Sequence, residues 1–310
     1  MAQIVLVHGI AQEQLSAAAL EAEWLPSLAG GLENAGHNAM ADRLRSGEFT
    51  VRMAYYGNRF HTPDHQGLEP EELTADEQVI AHEFALDLLE NATYSPNRKD
   101  AEEARHELAK LERGPQDAQG KVKAAAVRAV GALDKVPWFG RGTLAATSAI
   151  NRTLAQVTRY LDDPAIHDYA IGQVDKFLGP ETRVVIGHSL GSVVAYDALR
   201  ARSSEHPVPL LLTLGSPLGF SAISRRLQPP PPGFPSVVRR WVNIAAPDDI
   251  VAARSDLHTV FDQGRPNGAV FEDTWKVDNG SKPHQIKFYL NKESCGKAVA
   301  ESLLPFDSDR

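Results

Sequence analysis

Val184-Val185-Ile186 is an apolar, β-branched run, and Gly187-His188-Ser189-Leu190-Gly191 follows it directly. Next comes Ser192-Val193-Val194-Ala195-Tyr196-Asp197-Ala198-Leu199, a segment with the composition of a helix packed on a core. Buried strand, sharp turn, helix: few folds accept that order with a G-x-S-x-G at the bend. A turn this tight holds the serine at its apex in a strained backbone conformation. Side chains two residues to either side would strike neighbouring chain, and glycine at 187 and 191 removes them. The serine hydroxyl is then exposed, and the helix N-terminus turns its positive dipole end toward it. Ser189 is therefore the candidate nucleophile.

The flanking chain repeats the same alternation. Ile4 to Val7 is a short continuous apolar run, which suits a strand buried on both faces of a parallel sheet. Residues 16 to 35 place Leu20, Trp24, Leu28 and Leu32 at helical spacing, with Gly36 as a stop. Phe49 to Tyr56 reads as a second strand. After Ser189 the pattern resumes, with strands expected at 210–214, 240–244 and 285–290 and a last helix at 294–304. The expected fold class is α/β, with a mainly parallel sheet of about six strands.

Between the second and third strands lies far more chain than one crossover needs. Its pattern is helical: 74–91, 100–113, 120–134, 143–161 and 166–178, broken at Gly114-Pro115, Pro137-Trp138 and Asp163-Pro164. Residues 1–92 and 164–310 are read as one core, and 93–163 as an inserted helical cap. Trp138, Phe139 and Leu144 are its candidate cover for an acyl pocket. Lys121, Lys123, Arg128, Lys135, Arg141, Arg152 and Arg159 make the insertion basic, so weak peripheral contact with anionic lipid is a further expectation.

Composition removes other classes. The 310 residues carry a net charge of −8 without a basic stripe, which argues against nucleic acid as a partner. The single cysteine, Cys295, excludes an internal disulfide framework and reads as an inert thiol. Met1-Ala2-Gln3 leads straight into an apolar strand without a charged leader, so a cytoplasmic setting is expected. No HExxH, cysteine pair or G-x-G-x-x-G follows a strand. No metal and no cofactor are expected, and Pro63 interrupts the spacing of His61 and His65.

Val7-His8-Gly9, Gly187 to Gly191, Thr213-Leu214-Gly215-Ser216-Pro217 and Asp249-Ile250-Val251 together make the chain resemble the α/β-hydrolase superfamily. The Thr213–Pro217 and Asp249–Val251 runs resemble lipases related to the class 3 group. The run from Gly187 to Leu199 is similar to the elbow of DDHD-type phospholipases. The resemblance covers about 1–60 and 180–305, and implies an α/β-hydrolase core under a helical cap.

It also implies a Ser, then Asp, then His order. Only His206, His258 and His284 follow Ser189, and His284, in a loop before an apolar segment, is preferred as the base over His258. For the acid, a D-x-V match selects Asp249 and a D-x-I-V match selects Asp248; Asp249 is preferred. Backbone amides of Leu190 and Ile10 are the candidate oxyanion-hole donors. His8, Gly9, His188, Ser216 and Pro217 are the candidate substrate-binding residues, with His8 also read as holding the first loop. The activity implied is that of a serine hydrolase cleaving carboxylic esters, on a small acyl ester or a lipid, as an esterase, lipase or phospholipase does. The same residues would serve a thioesterase or acyltransferase, and a non-catalytic binding module is the alternative of another class.

Overall fold

The computed structural model describes residues 1–60, 73–113, 121–141, 147–202, 206–253 and 257–304. Its strands are β1 (Ile4–Val7), β2 (Val51–Ala54), β3 (Val184–His188), β4 (Val208–Leu214), β5 (Val238–Ile244) and β6 (Val270–Thr274). They form one six-stranded sheet in the order β2-β1-β3-β4-β5-β6, with every neighbouring pair parallel. This is an α/β fold.

The helices in the first crossover are α1 (Ala17–Asn34) and α2 (Asn38–Arg45). The long second crossover carries α3 (Ala75–Ala92), α4 (Arg98–Arg113), α5 (Lys121–Leu133), α6 (Thr147–Asp162) and α7 (Pro164–Asp175). Then follow α8 (Leu190–Arg200), α9 (Ser221–Ser224), α10 (Leu257–Phe261), α11 (Ile286–Leu290) and α12 (Glu293–Leu303).

Strand alternation divides the core in two. Ile4, Leu6, Ile186, Leu210 and Leu212 point to one face and pack with Leu20, Trp24 and Leu28 of α1 and Val299 of α12. Val5, Val7, Val185 and Leu211 point to the other and pack with Val193 and Val194 of α8, Val174 of α7 and the insertion helices. Both faces are covered, which is why β1, β3 and β4 read as unbroken apolar runs.

The helices of the second crossover are tied to the loop after β5. Asn91 of α3 donates hydrogen bonds to the carbonyls of Ile250 and Ala252, and Trp138 Nε1 donates to the Asp248 carbonyl at 2.8 Å. Among the insertion's basic residues, Lys135 pairs with Glu107, Arg152 with Glu13 and Arg159 with Glu77. The buried stripe of α3 is Ile80, Phe84 and Leu88. Leu144 lies outside the described residues, as do His61 and His65. Among the described residues, no helix is long and apolar enough to cross a membrane.

One sequence expectation is corrected. Residues 285–290 are not a strand: Ile286 to Leu290 form α11, with Tyr289 and Leu290 buried. A short apolar run looks the same in either state, and here the i, i+3, i+4 set of Ile286, Tyr289 and Leu290 faces the core. The sixth strand is Val270–Thr274. It lies on the sheet edge with Val270 exposed, so no continuous apolar run marks it.

Candidate active site

The chain steps from β1 outward to β2 and then back across to β3. That reversal opens a crevice at the carboxyl ends of β1 and β3, where open parallel sheets bind ligands. Two segments enter it: His8-Gly9-Ile10 after β1, and Ser189 after β3.

Ser189 sits between β3 and α8 with φ 52° and ψ −130°, a region that L-residues seldom occupy and that costs about 1–3 kcal/mol. The surroundings hold it there. Its N–H donates to the Leu214 carbonyl at 3.1 Å. A Cβ at Gly187 would lie 2.6 Å from the Gly191 carbonyl oxygen, and one at Gly191 only 2.2 Å from that of Val7. Gly9 permits the other close approach, since a Cβ there would lie 2.9 Å from the Ser189 Cβ. Ser189 is buried, 3% exposed, so its hydroxyl meets ligands only through the cavities beside it.

Asp249 and His284 come together from the loops after β5 and β6. His284 Nδ1 and Asp249 Oδ2 are 2.8 Å apart. The carboxylate accepts only, so Nδ1 carries the proton in that bond and Nε2 is the free nitrogen of the neutral ring. Nε2 is buried and has no hydrogen-bond partner among the described residues. Tyr289 of α11 donates to the same Oδ2 at 2.7 Å, and the Val251 N–H donates to Oδ1 at 3.1 Å. Burial pushes the Asp249 pKa up. The charge of His284, with the hydrogen bonds from His284 and Tyr289, outweighs that and holds it below the usual carboxylate range. Asp249 is thus a buried, ionised anchor for one face of the imidazole. Asp248, the other contender, is half-buried, and its backbone carbonyl is occupied by Trp138. The structure brings Asp249, not Asp248, to His284. His258 lies in α10, 3.9 Å from Asp262.

His188 stacks obliquely on His284 with ring centroids 4.7 Å apart, and its Nε2–H donates to the His284 carbonyl at 3.0 Å. Burial, then the charge of His284, lowers its pKa to about 3. His8 is equally enclosed. Its Nε2 accepts from the Tyr56 N–H at 3.1 Å, so the ring proton is on Nδ1 and is donated to the Gly9 carbonyl at 2.7 Å. Burial lowers the His8 pKa to about 4. Both rings are neutral scaffolding at pH 7, and His8 fixes the loop that carries Ile10.

These depressed values give a prediction for stability. An unfolded histidine protonates near 6.5, and the folded protein resists protonation of His8 until about 4 and of His188 until about 3. The unfolded state therefore binds more protons below pH 6.5, and stability present above that pH is lost as pH falls. Each histidine is expected to contribute a loss of about 2 kcal/mol by pH 5. His167, whose pKa is raised by Asp197, opposes this only in part because its side chain is partly solvated. Urea midpoints should be lower at pH 5 than at pH 7, and the gap should narrow in His188→Asn. Equal midpoints at the two pH values would contradict the assignment.

Two cavities meet at Ser189. One, about 190 Å³, is bordered by Gly9, Gln12, Glu23, His188, His284 and Lys287. The other is apolar and small, about 10 Å³, and is bordered by Phe84, Phe139, Ile150, Leu154, Leu190 and Pro217. Ile10 and Val251 border both. The Ile10 and Leu190 amides have no hydrogen-bond partner among the described residues. Ser216 borders neither: its hydroxyl is hydrogen-bonded to Ser192 Oγ at 2.7 Å behind the turn. No hydrogen bond joins Ser189 Oγ to His284 Nε2 here, although both residues line the larger cavity.

Three residues of the candidate site escape sequence reasoning. Tyr289 falls in a run, 285–290, that the sequence alone presents as a strand. Gly215, at φ 54°, brings the end of β4 so close that a Cβ would sit 2.9 Å from Asp249 Oδ2 and 3.2 Å from His284 Nδ1; the glycine inside Thr213–Pro217 was the available signal. Gln156 of α6 accepts from the N–H of Ala11, itself at φ 58°, and donates to Glu13 at 3.0 Å, clamping the loop that carries Ile10. Nothing local distinguishes Gln156 from any other polar helix residue.

Among the described residues no three His, Cys, Asp or Glu side chains are grouped to hold a metal ion. Cys295 is buried, and burial pushes its thiol up to about 12. Scans against protein-family models, curated proteins and solved structures return no match to this chain.

Proposed function

We propose that the chain is a serine hydrolase of the α/β-hydrolase kind that cleaves carboxylic esters. The observation that carries this reading is a partly buried imidazole, anchored on one nitrogen by a buried carboxylate, lining the same cavity as a serine forced into φ 52° at a strand–helix turn. A carboxylate-anchored imidazole with a free Nε2 beside such a serine is the arrangement that acyl transfer needs.

In the proposed reaction, His284 Nε2 takes the Ser189 proton as Oγ attacks the ester carbonyl carbon. The carbonyl oxygen becomes an oxyanion held by the amides of Leu190 and Ile10, each such donor contributing about 10²–10³ in rate. His284 then gives the proton to the departing alkoxide as the carbon–oxygen bond breaks. Water attacks the resulting acyl-serine through the same base and releases the acid. Asp249, kept ionised by His284 and Tyr289, holds the ring in its Nδ1–H form and stabilises the imidazolium between the two half-reactions. Ser189 and His284 reach hydrogen-bonding distance when the substrate is bound, as such pairs tighten from looser free-enzyme geometry.

Release of p-nitrophenol from p-nitrophenyl acetate tests the reading. Folded protein is expected to accelerate it well above the buffer rate, and prior treatment with a fluorophosphonate is expected to remove the acceleration. Folded protein that leaves the buffer rate unchanged would overturn the proposal.

A further inference from the structure

The two cavities at Ser189 differ in size, polarity and neighbours, and those differences sort the two halves of an ester. His284 borders only the larger cavity. In the reaction proposed above, the same imidazole must protonate the leaving oxygen, so the alcohol half has to lie on the His284 side. The acyl half then points the other way, past Leu190, into the apolar cavity. We infer that this site accepts acyl groups of about acetyl size and directs a larger, polar alcohol into the wider cavity. This inference rests on the ester-hydrolase reading and narrows its substrate class.

The size limit comes from the walls. About 10 Å³ is close to the smallest space that holds one water, so a group of about methyl size is the most it takes and a chain does not fit. Phe84, Phe139, Ile150, Leu154 and Val157 are each at most 3% exposed, and all belong to the main core cluster. They are tied to it on several sides: Phe84 meets Phe220 edge-on at 5.7 Å, and Phe139 meets Trp138 at 5.0 Å, whose indole is bonded to the Asp248 carbonyl. Seating a longer chain would mean displacing packed side chains, and well-packed cores resist added methylenes. The opposite cavity is about 190 Å³ and bordered by Gln12, Glu23 and Lys287, which suits a hydrated, polar leaving group.

The test keeps the alcohol constant and varies the acyl chain. Wild-type protein is assayed on p-nitrophenyl acetate, butyrate and octanoate, and kcat/KM is compared. Acetate is expected to exceed octanoate by at least tenfold, since an apolar pocket discriminates by about 10–200-fold for each misfit methylene-sized group. Leu154→Ala enlarges the cavity and should raise the octanoate-to-acetate ratio about tenfold. Val157→Ala, a smaller truncation, supplies the same comparison should Leu154→Ala fail to fold. Octanoate cleaved by wild type as well as acetate would overturn the acyl-size inference and leave the hydrolase reading standing. No cleavage of any of the three esters, with no fluorophosphonate adduct, would overturn both.

Discussion

Ser189→Ala is expected to lower kcat for p-nitrophenyl acetate by about 10⁴–10⁶-fold, the loss seen when a nucleophile acting with its base is removed. The physical reason is that in the proposed reaction Oγ is the atom that forms the covalent bond, and no neighbouring hydroxyl is placed to replace it. Ser192 Oγ donates to the Ser189 carbonyl, is hydrogen-bonded to Ser216 Oγ, and lies one turn into α8. Stability should change little, because Ser189 Oγ makes no hydrogen bond to another described residue, and alanine keeps the Cβ that Gly9 accommodates at close range. Circular dichroism and urea unfolding of the variant establish that the loss is chemical. A folded Ser189→Ala protein that retains wild-type kcat would contradict the assignment.

The second large effect is expected at the acid. In Asp249→Asn, the amide must face either His284 and Tyr289, which both donate to Oδ2, or the Val251 N–H, which donates to Oδ1. Either orientation sets a donor against a donor. With the NH₂ toward His284, the ring is driven to the Nε2–H form, which cannot take the Ser189 proton. The expected result is a fall in kcat of about 10⁴-fold with KM much less affected. Stability should fall by about 1–3 kcal/mol for the mismatched buried bonds. Asp248→Asn is the control. Its carbonyl bond to Trp138 is a backbone contact that the substitution leaves intact, so no comparable loss is expected. A large loss at 248 with a small one at 249 would reverse the choice of acid.

How much of this was legible in the sequence follows from where the determining contacts lie. Ser189 was readable because the strand, the two glycines and the helix that constrain it are contiguous. The central strands were readable because burial on both faces leaves an unbroken apolar run, as in Val184 to Ile186. β6 was not, because an edge strand with Val270 exposed and Glu272, Asp273 and Thr274 half-buried carries no such run. Residues 286–290 were misread for the converse reason: their apolar content was visible, but which face is buried depends on Tyr289 reaching Asp249, 40 residues away in sequence.

The same distinction governs the site. Sequence order brought Asp248, Asp249 and His284 forward, yet two adjacent carboxylates are locally alike. The choice between them is made by tertiary contacts, from Tyr289 and His284 to a side chain that the turn after β5 buries. Ser216 was expected at the substrate and instead braces the turn from behind through Ser192. His8 was expected both at the substrate and as a loop anchor; its hydrogen bonds to Tyr56 and Gly9 are those of an anchor. Gln156 illustrates the limit most plainly, since only the folded path of α6 brings it to the strained Ala11 loop.

The central claim is that Ser189 is an activated nucleophile. Its most direct test is mass spectrometry of the folded wild-type protein after brief exposure to a fluorophosphonate, which reacts with activated serine hydroxyls and not with ordinary ones. One adduct per chain is expected, on the tryptic peptide spanning residues 184–200, with fragmentation locating it at Ser189 and with none on Ser189→Ala. An unmodified folded protein, or an adduct on another residue, would contradict the claim.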